Sequence, residues 1–288
     1  MRNKLKFQGG LTRLFCRKKA EINKKAFGRH PSFPDNLLLK SHELNFDIIS
    51  FSGLSNFEDQ LLSIYSLLYY AGKPFKWTIY SDKSYTEAHK EIFQKKFDFV
   101  EVKEWDVYDH HIKIKPINDY FKVCPLGKKL NIILGHDCTR QTIYLDSDII
   151  FYKNIPYYLN NTLLSKGLWY VPDALGDVSQ YFFKERESIY PLNSGLLIYN
   201  NSFIAEDIYE YLENLKGEYC YFSEQSSFEY AFRTQGANML DPRQFVIDTS
   251  DQFDFSMSHQ PTDIAMRHYT SPVRHKMWQK GWKWHFGK

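Results

Sequence analysis

Two carboxylates one residue apart, Asp146 and Asp148, interrupt a run that is otherwise apolar: Ile143-Tyr144-Leu145 leads in and Ile149-Ile150-Phe151-Tyr152 leads out. Burying two like charges is costly unless a cation compensates them. In extended chain, residues two apart point to one side, so both carboxylates can face one ion or its water shell. Hard oxygen ligands suit Mg²⁺ or Mn²⁺, which also bind the oxygens of a diphosphate. The plainer alternative is a pair of strand-end acids in solvent or capping a helix, because D-x-D arises often by chance.

Further residues with chemical potential lie on both sides of that pair. Lys129 sits in an apolar helical stretch, where a lone lysine is more often solvated. Asn193 and Ser194 open the run Leu192-Asn193-Ser194-Gly195-Leu196-Leu197-Ile198, and Glu224-Gln225 begin a helix-like segment, 224–233, whose dipole an acid at its start complements. His268 precedes Tyr269-Thr270-Ser271-Pro272. No G-x-x-x-x-G-K-[ST] accompanies the acids, which disfavours a P-loop enzyme.

The elements that must position these residues follow from periodicity. The apolar stretch 46–53 reads as a short buried strand ended by turn residues. Segment 57–70 is helical, with Leu61, Ile64, Leu67 and Leu68 on one face, and Ala71-Gly72-Lys73-Pro74 stops it. A strand at 75–80, a helix at 85–97, a strand at 99–102, a helix at 126–134 and a strand at 142–145 follow. Strands alternating with helices predict an α/β fold whose central sheet is parallel and covered on both faces. Ligands then collect at the carboxyl ends of the strands, where Asp146 and Asp148 lie.

The chain has 288 residues, of which 43% are hydrophobic, enough for a sizeable core in one large domain or two small ones. Aromatic residues make up 17%, including 21 Tyr and 23 Phe, and such rings stack on sugars or bases as well as filling cores. Lys and Arg total ten between Met1 and Arg29 against the single acid Glu21, leaving 37 − 10 = 27 bases and 34 − 1 = 33 acids beyond. A basic arm on an acidic body argues against nucleic-acid binding, in which the basic face belongs to the fold itself. It suits an anionic membrane surface instead.

Cys16, Cys124, Cys138 and Cys220 form no C-x-x-C pair, so neither a zinc knuckle nor a redox motif is expected, and a reducing cytoplasm is the simplest compartment. The basic start lacks the apolar segment and cleavage site of a signal peptide, and no apolar run is long enough to span a bilayer. The expected organisation is a basic arm (1–45), a catalytic domain (46–275) and a basic aromatic tail (276–288). In that tail Trp278, Trp282, Trp284 and Phe286 alternate with Lys276, Lys280, Lys283 and Lys288. Cations with interfacial aromatics at both ends fit peripheral membrane binding, and Leu5, Phe7, Leu11, Leu14 and Phe15 supply the apolar part of the arm.

From about Phe46 to Trp278 the chain resembles the GT-A glycosyltransferases, and among them the family-eight-like enzymes related to glycogenin and the bacterial lipopolysaccharide galactosyltransferases. Four blocks carry the resemblance in order and approximate spacing: the Lys129-Leu130 helix leading into Asp146-Ser147-Asp148; Leu192 to Ile198; Glu224-Gln225; and His268 to Pro272. The resemblance implies a GT-A fold, Rossmann-like with a mostly parallel sheet. It implies an enzyme that transfers a hexose from a nucleotide diphosphate sugar, UDP-hexose at the family level, to a glycan or lipid-linked glycan with retention of configuration. It further implies that Asp146, Asp148 and His268 hold a divalent cation, with the imidazole favouring Mn²⁺ over Mg²⁺.

By the same resemblance Lys129 contacts the donor, Asn193 helps bind sugar, Asp173 lies on the donor sugar, and Gln225, preceded by Glu224, stands near the anomeric carbon. Ser52, Ser147 and Ser194 complete the candidate donor and acceptor contacts. The family ends this region with H-F-x-G-x-x-K-P-W; here Ser271 stands for Gly, Arg274 for Lys and His275 for Pro, with Trp278 displaced. Either Arg274 or Lys276 then takes the phosphate-binding role. Two rivals stay open: a haloacid-type phosphohydrolase, which also places D-x-D after a strand, and a catalytically inactive sugar-nucleotide-binding protein.

Overall fold

The computed structural model describes residues 2–29, 42–108, 115–161, 167–173, 191–252, 257 and 259–286. Lys288 and the side chains of Leu5, Phe7 and Phe286 lie outside what is described. In chain order the elements are α1 (Arg2–Arg29), β1 (Glu43–Ser52), α2 (Phe57–Tyr70), β2 (Lys73–Ser81), α3 (Glu87–Lys96), β3 (Val100–Glu104), α4 (Lys115–Val123), α5 (Pro125–Gly135), β4 (Thr142–Leu145), β5 (Ile149–Phe151), α6 (Ile155–Asn161), β6 (Trp169–Pro172), β7 (Leu192–Tyr199), α7 (Glu206–Asn214), α8 (Ser223–Thr234), β8 (Asn238–Met239), β9 (Phe245–Val246), β10 (Met266–His268), α9 (Arg274–Lys276), a π-helical turn Met277–Gly281 and α10 (Lys283–Phe286).

Seven strands form the central sheet in the order β3-β2-β1-β4-β7-β6-β8. The first four run parallel, as the alternating pattern predicts, whereas β7 is antiparallel to both β4 and β6. Period two then sorts the strand side chains. Phe46 and Ile48 of β1, Ile143 and Leu145 of β4, and Leu196 and Ile198 of β7 join one core with α2 and α3. Ile49, Tyr144, Leu197 and Tyr199 point the other way, into a second core with α4, α5, α7 and α8. The strands are buried on both faces, which is why they read as continuous apolar runs rather than alternating ones.

The break between α2 and β2 falls where Gly-then-Pro predicts it. Gly72 adopts φ +135, a conformation L side chains rarely take, and a Cβ there would collide with the His42 carbonyl. A second sheet, β5-β10-β9, leaves the main one at the end of β4. Asp146-Ser147-Asp148 is the turn between the two sheets, not the extended chain expected of it. Same-side geometry along a strand therefore does not bring the two carboxylates together; the divergence of two sheets does.

The ends of the chain are joined to this body. The inner face of α1 buries Cys16, Ala20 and Phe27. Phe27 meets Trp278 with ring centroids 5.0 Å apart, Asn23 donates to the Trp278 carbonyl at 2.7 Å, and Lys24 pairs with buried Asp59 at 2.9 Å. In the C-terminal segment Trp278 and His285 are buried while Trp284 is exposed. No described helix is long and apolar enough to cross a membrane.

Candidate active site

The site is built where the two sheets part. The Asp146 amide donates to the Gly195 carbonyl at 2.8 Å, which sets the first carboxylate beside β7. The Tyr269 amide donates to the Asp148 carbonyl at 2.9 Å, and His268 registers with Ile149 across the antiparallel β5–β10 pair. These two ladders bring an imidazole from a distant block onto the acid pair. His268 Nε2 lies 3.0 Å from Asp148 Oδ1 and 3.7 Å from Asp146 Oδ2. One ligand atom from each of the three residues falls within 4.8 Å of the others.

The orientation of His268 is set from behind. Its Nδ1 lies 3.2 Å from Asn193 Oδ1, which also accepts from the Gly195 amide at 2.9 Å. An amide oxygen only accepts, so Nδ1 carries the proton and Nε2 faces the two carboxylates. A Cβ at Gly195 would collide with the His268 ring, so this position admits only glycine. Nε2 between two carboxylates calls for positive charge there, as a second proton or as a divalent cation. Two carboxylates and one imidazole suit Mn²⁺ or Mg²⁺.

Other cations gather around the acids. Arg274 Nε donates to Asp148 Oδ2 at 3.0 Å, with a second contact from Nη2. Burial alone would raise the Asp148 carboxyl, but His268 and then Arg274 hold it well below the usual carboxylate range. Burial works the opposite way on His268, and Asp148 and Asp146 outweigh it to raise its pKa. Behind Asp146, Tyr144 donates its hydroxyl to Asp146 Oδ1 at 2.7 Å, and Lys129 Nζ stands 4.7 Å over the Tyr144 ring.

Lys129 is buried and lies 3.4 Å from both Asp146 Oδ1 and Glu224 Oε1. It donates to Ser194 Oγ at 3.0 Å, and Ser194 donates on to Glu224 Oε2 at 2.9 Å. Burial raises the Glu224 carboxyl, with Lys129 opposing and Asp146 adding to the effect. Asp173, at the end of β6, forms a separate cluster. Its Oδ2 accepts from Gln225 Nε2 at 3.0 Å and from Asn193 Nδ2 at 3.1 Å.

These side chains line one cavity of about 340 Å³. Lys129, Asp146, Asp148, Asp173, Asn193, Ser194, Glu224, Gln225, His268 and Arg274 all face it. Three expected residues do not line it. Ser52 hydrogen-bonds Tyr85 at 2.8 Å, Ser147 is buried in the turn, and Lys276 is fully buried. Of the two basic candidates for a phosphate contact, the fold turns Arg274 toward the cavity. Sequence reasoning assigned no role to Tyr144, which supports Asp146 from behind, nor to Tyr221, Phe222 and Thr249, which line the cavity. Tyr144 carried a signal, since it stands two residues before Asp146 in a strand; the others lie in a turn (Tyr221, Phe222) or in irregular chain (Thr249), without one.

Neither a protein-family model nor a curated protein sequence matches the chain. Solved structures do. The galactosyltransferase LgtC, determined with donor and acceptor sugar analogues, superposes with TM-score 0.53 at 13% identity, covering 83% of this chain and 99% of that one. Mouse xyloside xylosyltransferase 1 gives 0.52 at 13% identity, covering 81% and 99%. The glycosyltransferase GlyE of Streptococcus pneumoniae TIGR4 gives 0.51 at 14% identity, covering 85% of this chain and 62% of its own. At such identity the likeness is one of fold, and the chain has the GT-A fold that these glycosyltransferases share.

Proposed function

We propose that the protein is a divalent-metal-dependent glycosyltransferase that moves a hexose from a nucleotide diphosphate donor, UDP-hexose first, onto a glycan or lipid-linked glycan. One observation carries the reading: a single cavity holds a convergent Asp-Asp-His ligand set and, separately, an amide–carboxylate cluster suited to sugar hydroxyls. Asp146, Asp148 and His268 would hold the cation, with Mn²⁺ favoured by the imidazole nitrogen. When bound, that ion supplies neutralising charge for a departing diphosphate.

The chain's own residues account for the remainder. Arg274, with 43% of its side chain exposed, is placed to turn from Asp148 toward a phosphate. Lys129 is held as a buried cation, because Asp146 and Glu224 raise its pKa against the effect of burial. Asn193 and Gln225 share Asp173, which fixes two amides and one carboxylate as a hydrogen-bonding surface for hydroxyl groups.

Retention of anomeric configuration is the stereochemistry we favour. An inverting enzyme needs a carboxylate base beside the acceptor hydroxyl. Among the described residues, each carboxylate lining the cavity is already engaged: Asp146 and Asp148 with His268, Asp173 with two amides, and Glu224 with Ser194 and Lys129. The four cysteines form no disulfide, in keeping with a reducing cytoplasm.

A panel of nucleotide sugars with Mn²⁺, followed by nucleotide release, sugar transfer and the anomeric configuration of the product, tests the proposal. Chelation should abolish transfer and Mn²⁺ should restore it better than Ca²⁺. Undiminished transfer under chelation would return the acid pair to ordinary structural carboxylates. Donor binding without turnover would favour the inactive reading, and phosphate release without sugar transfer the phosphohydrolase.

A further inference from the structure

We infer that the outer face of α1 is a docking surface for an anionic lipid bilayer. The inference does not depend on the catalytic reading. An amphipathic helix on a globular protein normally spends its single apolar face on the core. This helix has two. Cys16, Ala20 and Phe27 are buried against the body, at 0%, 4% and 6% exposure. Leu11, Leu14, Phe15 and Ile22 are 49%, 57%, 67% and 68% exposed.

At about 100° per residue the four exposed side chains fall within a sector of about 100°, centred opposite the buried one. The same outward half carries exposed Lys18, Lys19 and Lys25. Lys25 is paired with Glu21, the single acid of the segment, at 2.8 Å. The surface therefore combines large apolar side chains with an excess of cations. That composition matches the headgroup and upper acyl region of an anionic leaflet and is repelled by a basic protein partner.

The structure also removes one tail residue from such a surface. Of the tail aromatics, Trp278 is buried at 2% exposure and committed to Phe27 and Asp59. Of the described tail aromatics Trp284 stays exposed, at 45%, against the four exposed apolar side chains of the α1 stripe. The helix is not a loose tether. Asn23, Lys24 and Phe27 fasten it to Trp278 and Asp59, and Gln279 donates to Cys16 Sγ at 3.1 Å. The segment it rests on begins at Arg274, the residue that reaches Asp148. A bilayer under α1 would therefore stand in a fixed relation to the cavity.

Deleting the arm would uncover Trp278, so substitutions on the full-length chain are the sound test. Vesicles of phosphatidylcholine alone and with phosphatidylglycerol are sedimented with the parent, with Leu14→Ser/Phe15→Ser/Ile22→Ser, and with Lys18→Gln/Lys19→Gln. The parent should bind the anionic vesicles and release as salt rises. Each variant should bind at least about tenfold more weakly. Thermal unfolding of each variant checks that the helix remains docked; if the triple variant does not fold, the lysine pair decides alone. No binding by the parent, or equal binding by a folded variant, overturns the proposal. So does a parent that is a dimer in solution and becomes monomeric in the triple variant, because a second copy is then the occupant.

Discussion

Arg267 and His268 are neighbours on one three-residue strand, both buried and both ion-paired, yet they belong to different kinds of place. Arg267 is fully buried and its Nη1 and Nη2 reach the two oxygens of Asp251 at 3.0 and 2.8 Å. Nη2 also reaches the Asp248 carbonyl at 3.1 Å, and the guanidinium lies 4.9 Å from the Tyr269 ring. One cation meets one anion there, away from the cavity. His268, on the opposite side of the strand, meets two carboxylates at the edge of a cavity that also holds Glu224, Lys129 and Arg274. Burial and charge alone do not mark a site. What marks it is a group of ligand atoms that converge on open space.

The largest test of that contrast is Asp148→Asn, which keeps shape and removes one charge from the cavity side. Sugar transfer should fall about a thousandfold, or ~4 kcal/mol in the barrier, in a protein that remains folded by circular dichroism. Unfolding instead of inactivation would make the acid pair structural, like Asp251. The mirror experiment, Asp251→Ala, strands a buried guanidinium and should cost about 3 kcal/mol of stability in urea titration. An Asp251→Ala protein of parental stability would show that Arg267 needs no partner.

Gln225→Ala sharpens the contrast within the cavity itself. Turnover should fall about a hundredfold, ~2.7 kcal/mol, with donor affinity nearly unchanged, the pattern of a group that acts in the transition state. If affinity falls instead and turnover does not, Gln225 serves only to seat the donor with Asp173 and Asn193.

The smallest effect separates two buried histidines. Burial lowers the pKa of His285 to about 4, and its Nε2 donates to the Phe151 carbonyl at 3.0 Å. His268 is raised because carboxylates face it. A histidine depressed from 6.5 to about 4 in the folded state contributes full stability above pH 6.5 and loses it as pH falls toward 4. The loss from His285 should reach about 2 kcal/mol by pH 5. Chemical denaturation at pH 7 and pH 5, compared with a His285→Phe variant, isolates it. A parent and variant with the same pH dependence would remove His285 from the account.

Much of the frame was legible along the chain because helix and strand periods are local. The helix at Phe57–Tyr70 and the strand at Thr142–Leu145 match the sequence pattern residue for residue. Elsewhere the ends moved: the first strand starts at Glu43 rather than at 46, where the pairing of Glu43 with Lys73 extends it beyond the apolar run. The antiparallel course of β7 was not legible, since an apolar strand reads the same in both directions.

The types and spacing of the chemical residues were also in the sequence, including the acid pair, the Asn-Ser-Gly block and His268. Their meeting was a tertiary matter. Asp148 and Arg274 stand 126 residues apart, and only the antiparallel register of β5 with β10, together with the parting of the two sheets, makes them neighbours. The choice of Arg274 over Lys276 for the cavity, the pairing of Ser52 with Tyr85 away from it, and the docking of α1 were likewise decided by packing. A side chain's period tells which face it takes. Which element covers that face depends on the whole chain, and that is where the sequence alone stops.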